Sequence, residues 1–235
     1  MTFTDEPAEL ESYRSLSVWA VVAAALGAAS PLAMFGVLLW SLPIAAIVAA
    51  TVALIRIRFG DGAIIGRKAA WAGMGAGVLF LATAAADRVA YRCLVRREAR
   101  QFTACWFRLL AEDRPQMAYR LTLSPQYRPP PDDDPWEFYR QGPRWRQELE
   151  NYANSPLVRT LLALGPRATV RYYDTVDQSQ TEGIDAVDLV YAVTFEEQRK
   201  KTFFAALRLE RSTTRSGEVF WRLAQSAGGV HPAGL

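Results

Sequence analysis

The chain has few of the residues that most often do chemistry. It holds one histidine and two cysteines in 235 residues, which supplies neither a Cys/His metal set nor a nucleophile with its base. The histidine, His231, lies behind Gly228-Gly229 in a Gly/Pro-containing tail. No rigid frame holds a partner beside it there, so it reads as a tail residue. Cys93 and Cys105 fall in one predicted helix about 18 Å apart. A disulfide needs Cα atoms within about 7 Å, and the pair reads instead as buried thiols. A net charge of +3 is too small to imply a nucleic-acid partner.

Charge is missing altogether from Val18 to Ile55, nearly twice the roughly 20 residues that one helical bilayer crossing needs. The N-terminal tail ahead of it, 1–16, carries Asp5, Glu6, Glu9 and Glu11 against Arg14 alone. That sign is wrong for a cleavable signal, and the apolar run is too long for one. It reads as an anchor. Residues 1–90 contain six Lys/Arg and six Asp/Glu, against 21 and 18 in the remainder. A membrane module over 17–86 is therefore expected, then a soluble domain over 87–226 and a tail over 227–235.

The apolar run must turn back once. Trp19 and Trp40 lie about 31 Å apart along a helix, close to the hydrocarbon thickness, and indoles favour both interfaces. This predicts a first span over about 18–40 with Pro31 kinking it, and a second over about 43–58. Ser41 would cap the second helix, with Pro43 in its first turn. The competing register breaks at Ser30-Pro31. Ala69–Ala86 is a third uncharged span of 18 residues. Small residues recur every four positions, at Ala20/Ala24/Ala28, Ala45/Ala49/Ala53 and Ala69/Gly73/Gly77, which lets helix backbones approach closely. Either the helices pack on one another there, or the faces join a second copy.

Ser15-Leu16-Ser17, Ala53-Leu54-Ile55-Arg56 and Gly66-Arg67-Lys68-Ala69-Ala70 followed by Ala72-Gly73 together resemble a small bacterial membrane module, "domain of unknown function 4190", over about 15–85. The resemblance implies residence in the bacterial inner membrane and no known activity. Ala50 and Lys68 depart from its usual residues. The loop Gly60–Lys68 spaces its glycines by five rather than four and lacks the Ser/Thr of a phosphate cradle. It reads as a turn with interfacial charges. Arg56, Arg58, Arg67 and Lys68 in that loop favour a cytoplasmic side, which puts the C-terminal domain outside. Arg88, Arg92, Arg96, Arg97 and Arg100 pull the other way.

The third helix is expected to continue to about Ala111, with Tyr91, Val95, Phe102, Trp106 and Leu109 on one face. Arg92, Arg96, Arg100 and Arg108 form a second stripe. So near a bilayer, Arg92, Arg96 and Arg100 are candidate contacts for anionic lipid headgroups, at about 1 kcal/mol each. A solvated face is the competing reading. Asp132, Asp133 and Asp134 invite a metal reading, but Asp134-Pro135-Trp136-Glu137 has the order of a helix start. Helices are expected over about 135–152, interrupted near Gly142-Pro143, and over Pro156–Leu164. Beyond Arg167 the period changes to two. Strands are expected at Thr169–Asp174, Ala186–Phe195 and Thr202–Glu210 and around Val219–Leu223, with polar turns at 175–184, 196–200 and 212–217.

Helices followed by about four antiparallel strands make an α+β domain. That order, with Phe107–Leu110 and then Gln116–Thr122, resembles the cone-shaped nuclear-transport-factor-2-like fold over about 90–226. Enzymes of that fold usually project an acid or base into the cone. Asp174, Asp188 and Glu210 are the strand carboxylates available, and Asp188 falls on the face opposite Val187 and Leu189. Tyr172, Tyr173 and Tyr191 are candidate pocket or core aromatics. No catalytic, cofactor-binding or metal-binding residue is assigned, and no cofactor is expected. The leading expectation is a non-enzymatic membrane-anchored binding or assembly module. Its partners would be membrane lipids, with a homo-oligomer through the small-residue helix faces or the sheet as a further option. The alternative is a membrane-tethered hydrolase or isomerase using a cavity carboxylate. A small transporter ranks third, because no charge lies within the spans.

Overall fold

The computed structural model describes residues 15–59, 64–129, 134–181, 183–196, 200–214 and 216–229. His231, Asp132, Asp133, most of the acidic tail and the Gly60–Ala63 part of the phosphate-cradle loop lie outside them. The chain divides into two compact units, Met1–Tyr91 and Arg92–Leu235.

The first unit begins with a two-residue strand, β1 (Ser15–Leu16), followed by helix α1 (Val18–Ala29). The first span does not reach Trp40 as the tryptophan spacing predicts. The α-helix stops at Ala29, tightens into a 3-10 segment over Ser30–Phe35, passes through Gly36 in extended conformation and resumes as 3-10 over Val37–Trp40. Pro31 is the cause, since it offers no N–H and its ring crowds the preceding turn. The Ser30 hydroxyl donates to the Leu26 carbonyl at 2.9 Å, occupying one of the acceptors left over. Trp40 therefore belongs to the second span. Helix α2 (Ser41–Phe59) starts at the expected serine, with Pro43 in its first turn. The apolar stretches are Val18–Phe35 and Val37–Phe59, and a third lies within helix α3 (Arg67–Ala111). All three helices are long and apolar enough to cross a membrane.

Strand β2 (Ile64–Ile65) precedes α3 and pairs in parallel with β1, Ser15 opposite Ile64 and Leu16 opposite Ile65. The starts of α1 and α3 thus lie together. Small residues fill the interior: Ala20 packs with Ala53 and Ala70, and Ala23 with Ala49 and Ala50. The buried faces are Ala20/Ala23/Gly27, Ala46/Ala49/Ala50/Ala53 and Ala70/Gly73/Gly77, whereas Ala28 and Ala45 are exposed. A four-residue repeat drifts off a 3.6-residue helix, so the true stripe is rotated from the expected one. These faces are buried within the unit. The large apolar side chains point outward instead, Phe35 84% and Leu38 91% exposed. At the far end of α2, the Arg56 guanidinium lies 5.8 Å from the centre of the Trp19 ring, a cation over an indole face.

In the second unit, Val95, Ala99, Thr103, Trp106 and Leu110 of α3 are buried, at the three-to-four spacing of one helix face. Helix α4 (Pro115–Arg120) follows, then α5 (Pro135–Gln141) and α6 (Pro143–Ala153), divided at Gly142-Pro143, and α7 (Pro156–Leu164). Asp134 caps α5, its Oδ1 accepting from the Trp136 backbone N–H at 3.0 Å. That is the cap role expected for it, while Asp132 and Asp133 lie outside the described residues. Tyr119, Tyr139 and Leu149 form an aromatic knot between α4, α5 and α6. The Tyr139 hydroxyl is buried there without a partner among the described residues, and burial pushes its pKa up to about 12. A buried unpaired hydroxyl costs its desolvation, about 1–3 kcal/mol. Tyr139→Phe is therefore expected to leave the thermal midpoint unchanged or raised, measured by circular dichroism in detergent.

The sheet is antiparallel and ordered β3 (Thr169–Thr181), β4 (Ile184–Glu196), β5 (Lys200–Thr213), β6 (Val219–Gly228). The expected turn at 175–184 is shorter than its polarity suggests. β3 continues through Asp177-Gln178-Ser179-Gln180 to Thr181, with register shifts at Tyr172/Asp174 and Thr175/Asp177. It is an edge strand, whose Asp177 and Gln180 are exposed and whose Gln178 bonds to Arg96 of α3. The face formed by Val187, Leu189, Tyr191, Val193, Ala205, Leu207, Leu209 and Leu223 is buried. Tyr191 packs edge-on against Phe107, centroids 5.0 Å apart, and shares a buried hydroxyl contact with Thr103. Trp106 donates from Nε1 to the Tyr152 hydroxyl of α6 at 2.8 Å.

Candidate functional site

Buried side chains line the helix-covered side of the sheet, and none of the three candidate strand carboxylates reaches it; the buried strand carboxylate on that side is Asp185, which pairs with Arg211 at 3.3 Å. Strand alternation turns Asp188 away from Val187 and Leu189, as its position in the sequence predicts. Glu210 lies on the same outward face, tied to Arg222 Nε at 2.8 Å. Asp174 is exposed and accepts from the Thr175 backbone N–H at 2.7 Å.

Two rows of residues shape the outward face. Asp177 lies opposite Asp188, Asp188 opposite Arg208, and Arg208 opposite Gln225. In the neighbouring row Val190 lies opposite Ala206, and Ala206 opposite Ala227. Short side chains in the second row beside long polar ones in the first leave a trough of about 670 Å³, to which Val176 and Ser226 also contribute. Asp188 is only partly served within it. Its Oδ2 lies 3.7 Å from Arg208 Nη1, a loose ion pair, and its Oδ1 is buried with no hydrogen-bond partner among the described residues.

Burial raises the Asp188 carboxyl above the usual carboxylate range; Arg208 opposes the shift and Asp177 adds to it. The sign of the linkage follows. A raised folded-state pKa contributes stability in full below the unfolded value and loses it as pH rises through the folded value. Relative to Asp188→Asn, the wild-type chain should therefore gain thermal stability as pH falls through that window and level off below it. Melting both proteins from neutral to acid pH tests this, and parallel curves would contradict it.

The arginine stripe has found partners in the sheet. Arg96 donates from Nε to Gln178 Oε1 at 2.8 Å, and the Arg100 guanidinium lies 3.6 Å from the Tyr172 ring centre. Arg92 is exposed, and its backbone carbonyl accepts from Gln178. The tyrosines divide in the same way. Tyr191 is core, Tyr172 is held by Arg100 and by Thr175, and the half-exposed Tyr173 stacks edge-on against Phe204 at 5.0 Å.

The sequence marks Asp188 as outward-facing but does not mark Arg208, Gln225, Ala206 and Ala227 as its neighbours. That grouping depends on the register of four strands, including an irregularity between Arg208 and Leu209. The one available signal is a charged residue between two leucines, Leu207-Arg208-Leu209, facing away from a buried strand face. Comparison of the chain with protein-family models, curated proteins and solved structures gives no match.

Proposed function

We propose that this chain is a multi-pass protein of the bacterial inner membrane whose C-terminal domain is a non-enzymatic binding module, with the outward trough as its site. The observation that carries the reading is the contrast between the two sheet faces. The helix-covered face is lined by buried, mostly apolar side chains, and the opposite face carries a trough with an incompletely paired Asp188. Three apolar helices with outward-facing aliphatic side chains support the membrane assignment. The resemblance of 15–85 to the bacterial membrane module supports the compartment.

The domain lies on the extracytoplasmic side in this reading, because three crossings begin at a cytoplasmic N-terminus and the basic Arg56–Lys68 connection favours the cytoplasm. Of the arginine stripe, Arg92 is the member left for lipid headgroups, while Arg96 and Arg100 serve β3. With Cys93 and Cys105 replaced by serine, a Thr213→Cys variant should react with an impermeant maleimide in intact cells. Labelling only after lysis would overturn the placement.

A second reading, a tethered hydrolase or isomerase, has one observation in its favour: the Asp188 carboxyl is held above its usual range in an open trough. Turnover separates the two. Hydrolysis of simple nitrophenyl esters by the purified protein, lost in Asp188→Asn, would favour the enzyme.

A further inference from the structure

We propose that the outward sheet face docks on the same face of a second copy of this chain, the Tyr173–Phe204 ridge of each copy seated in the trough of the other. The inference rests on the trough being a binding site and names its occupant. Shape, charge and area carry it.

Residues directly opposite one another on paired strands share a face. Two neighbouring outward rows are therefore Arg171–Ala192–Phe204 and Asp174–Val190–Ala206–Ala227. Over the first row Tyr173, 55% exposed, and Phe204 come from the strands on either side of β4 and meet edge-on, centroids 5.0 Å apart. The two rings make a ridge. The second row supplies the short side chains of the trough floor, Val190, Ala206 and Ala227. A half-turn about a line that crosses the strands midway between these rows lays each row on the other. Phe204 of one copy then stands over Ala206 of the second, and Ala192 over Val190, so large side chains meet small ones. Sheets stacked face to face keep their strands within about 30° of each other, which preserves the match near the axis.

The same half-turn brings opposite charges together. Arg171 comes to lie over Asp174 of the second copy, and Asp174 over Arg171. Both residues are exposed, and neither makes an ion pair among the described residues. One row further out, the paired hydroxyls of Thr194 and Thr202, 3.0 Å apart, fall over Asp188 and Arg208 of the second copy, polar groups on polar groups. A partner charged with one sign throughout would find half of these groups against it.

The area is sufficient. The rows that overlap span about 19 Å across four strands and about 27 Å along them. That footprint covers about 1,000 Å² over the two copies, the size at which specific interfaces begin.

Charge reversal tests the arrangement. The mass of the full-length protein in detergent micelles is followed by light scattering over the micromolar range, and circular dichroism verifies that every variant is folded. Wild type is expected to dimerise and Phe204→Lys to remain monomeric. Arg171→Asp and Asp174→Arg, each alone, should weaken the dimer at least about tenfold, because like charges then face each other. An equimolar mixture of these two variants should recover wild-type affinity, since both contacts again join opposite signs. A dimer indifferent to Phe204→Lys, or a mixture no tighter than its components, overturns the proposal. A photoreactive p-benzoylphenylalanine in place of Gln225, on the wall of the trough, separates this failure from that of the site itself. Irradiated in intact cells, it should give a product of twice the chain's mass that Phe204→Lys removes. A product of any other mass, with wild type monomeric, overturns the second copy and leaves the trough as a site. A monomer that gives no product overturns both.

Discussion

Gly73→Leu should abolish the folded membrane unit, whereas Gly75→Ala, two residues away on the same helix, should be neutral or mildly stabilising. A Cβ on Gly73 would lie 2.4 Å from the Ala23 carbonyl oxygen and 2.6 Å from its carbon. Those atoms are backbone, so no rotamer change relieves the clash, and α1 and α3 must separate. Overpacking of this kind costs about 1–3 kcal/mol where the surroundings can yield. Here the whole α1–α3 contact must yield, because Gly27 approaches the Cα of Gly73 from the facing helix. A Cβ on Gly75 meets nothing within 4 Å, and replacing a helical glycine by alanine recovers about 0.5–1 kcal/mol. Monodispersity on size-exclusion chromatography in mild detergent, together with the thermal aggregation midpoint, reads both variants. Equal behaviour of the two would mean that the α1–α3 contact is not where the structure has it.

Trp106→Ala should be the most damaging single change in the second unit, at about 3–5 kcal/mol. The indole is fully buried, meets the Phe107 ring edge-on with centroids 4.9 Å apart, and donates to the Tyr152 hydroxyl. Its removal opens a large cavity and leaves the Tyr152 hydroxyl without its indole donor. Trp106→Phe keeps most of the volume and loses the hydrogen bond, so about 1 kcal/mol is expected. Because the chain has two units, the readout should be local. Amide exchange in the central strands β4 and β5 should accelerate strongly in Trp106→Ala and slightly in Trp106→Phe. Unchanged protection in Trp106→Ala would remove the indole from the core.

The features legible in the sequence are those written in a local period. The uncharged run marked two spans and Ala69–Ala86 a third, and the alternation of Val187, Leu189, Tyr191 and Val193 marked both the central strand and its buried face. Asp134-Pro135 announced a helix start because capping involves only neighbouring residues. The reversal near Gly36 was harder to read, because the Trp19–Trp40 spacing and Pro31 point to different breaks, and the chain uses 3-10 segments that neither signal describes. The rotation of the small-residue stripe was concealed by the abundance of alanine, which makes every face of these helices look small. The trough was out of reach for another reason. Asp177, Asp188, Arg208 and Gln225 come from four strands, and their proximity is a product of register.

The pairing of Ser15–Leu16 with Ile64–Ile65 has a consequence for how the protein is made. If α1 and α2 cross a bilayer as proposed, the chain returns after Leu16 to the side it left, and these four residues would meet only once both helices are inserted. In the proposed membrane arrangement the pair could form once residue 65 has been made, early in a chain of 235 residues, and would report that the hairpin has completed its round trip. A nascent chain stalled with α2 uninserted would hold the two strands on opposite sides of the bilayer. In that arrangement the pair would be a latch that closes only on molecules whose first two spans are both threaded.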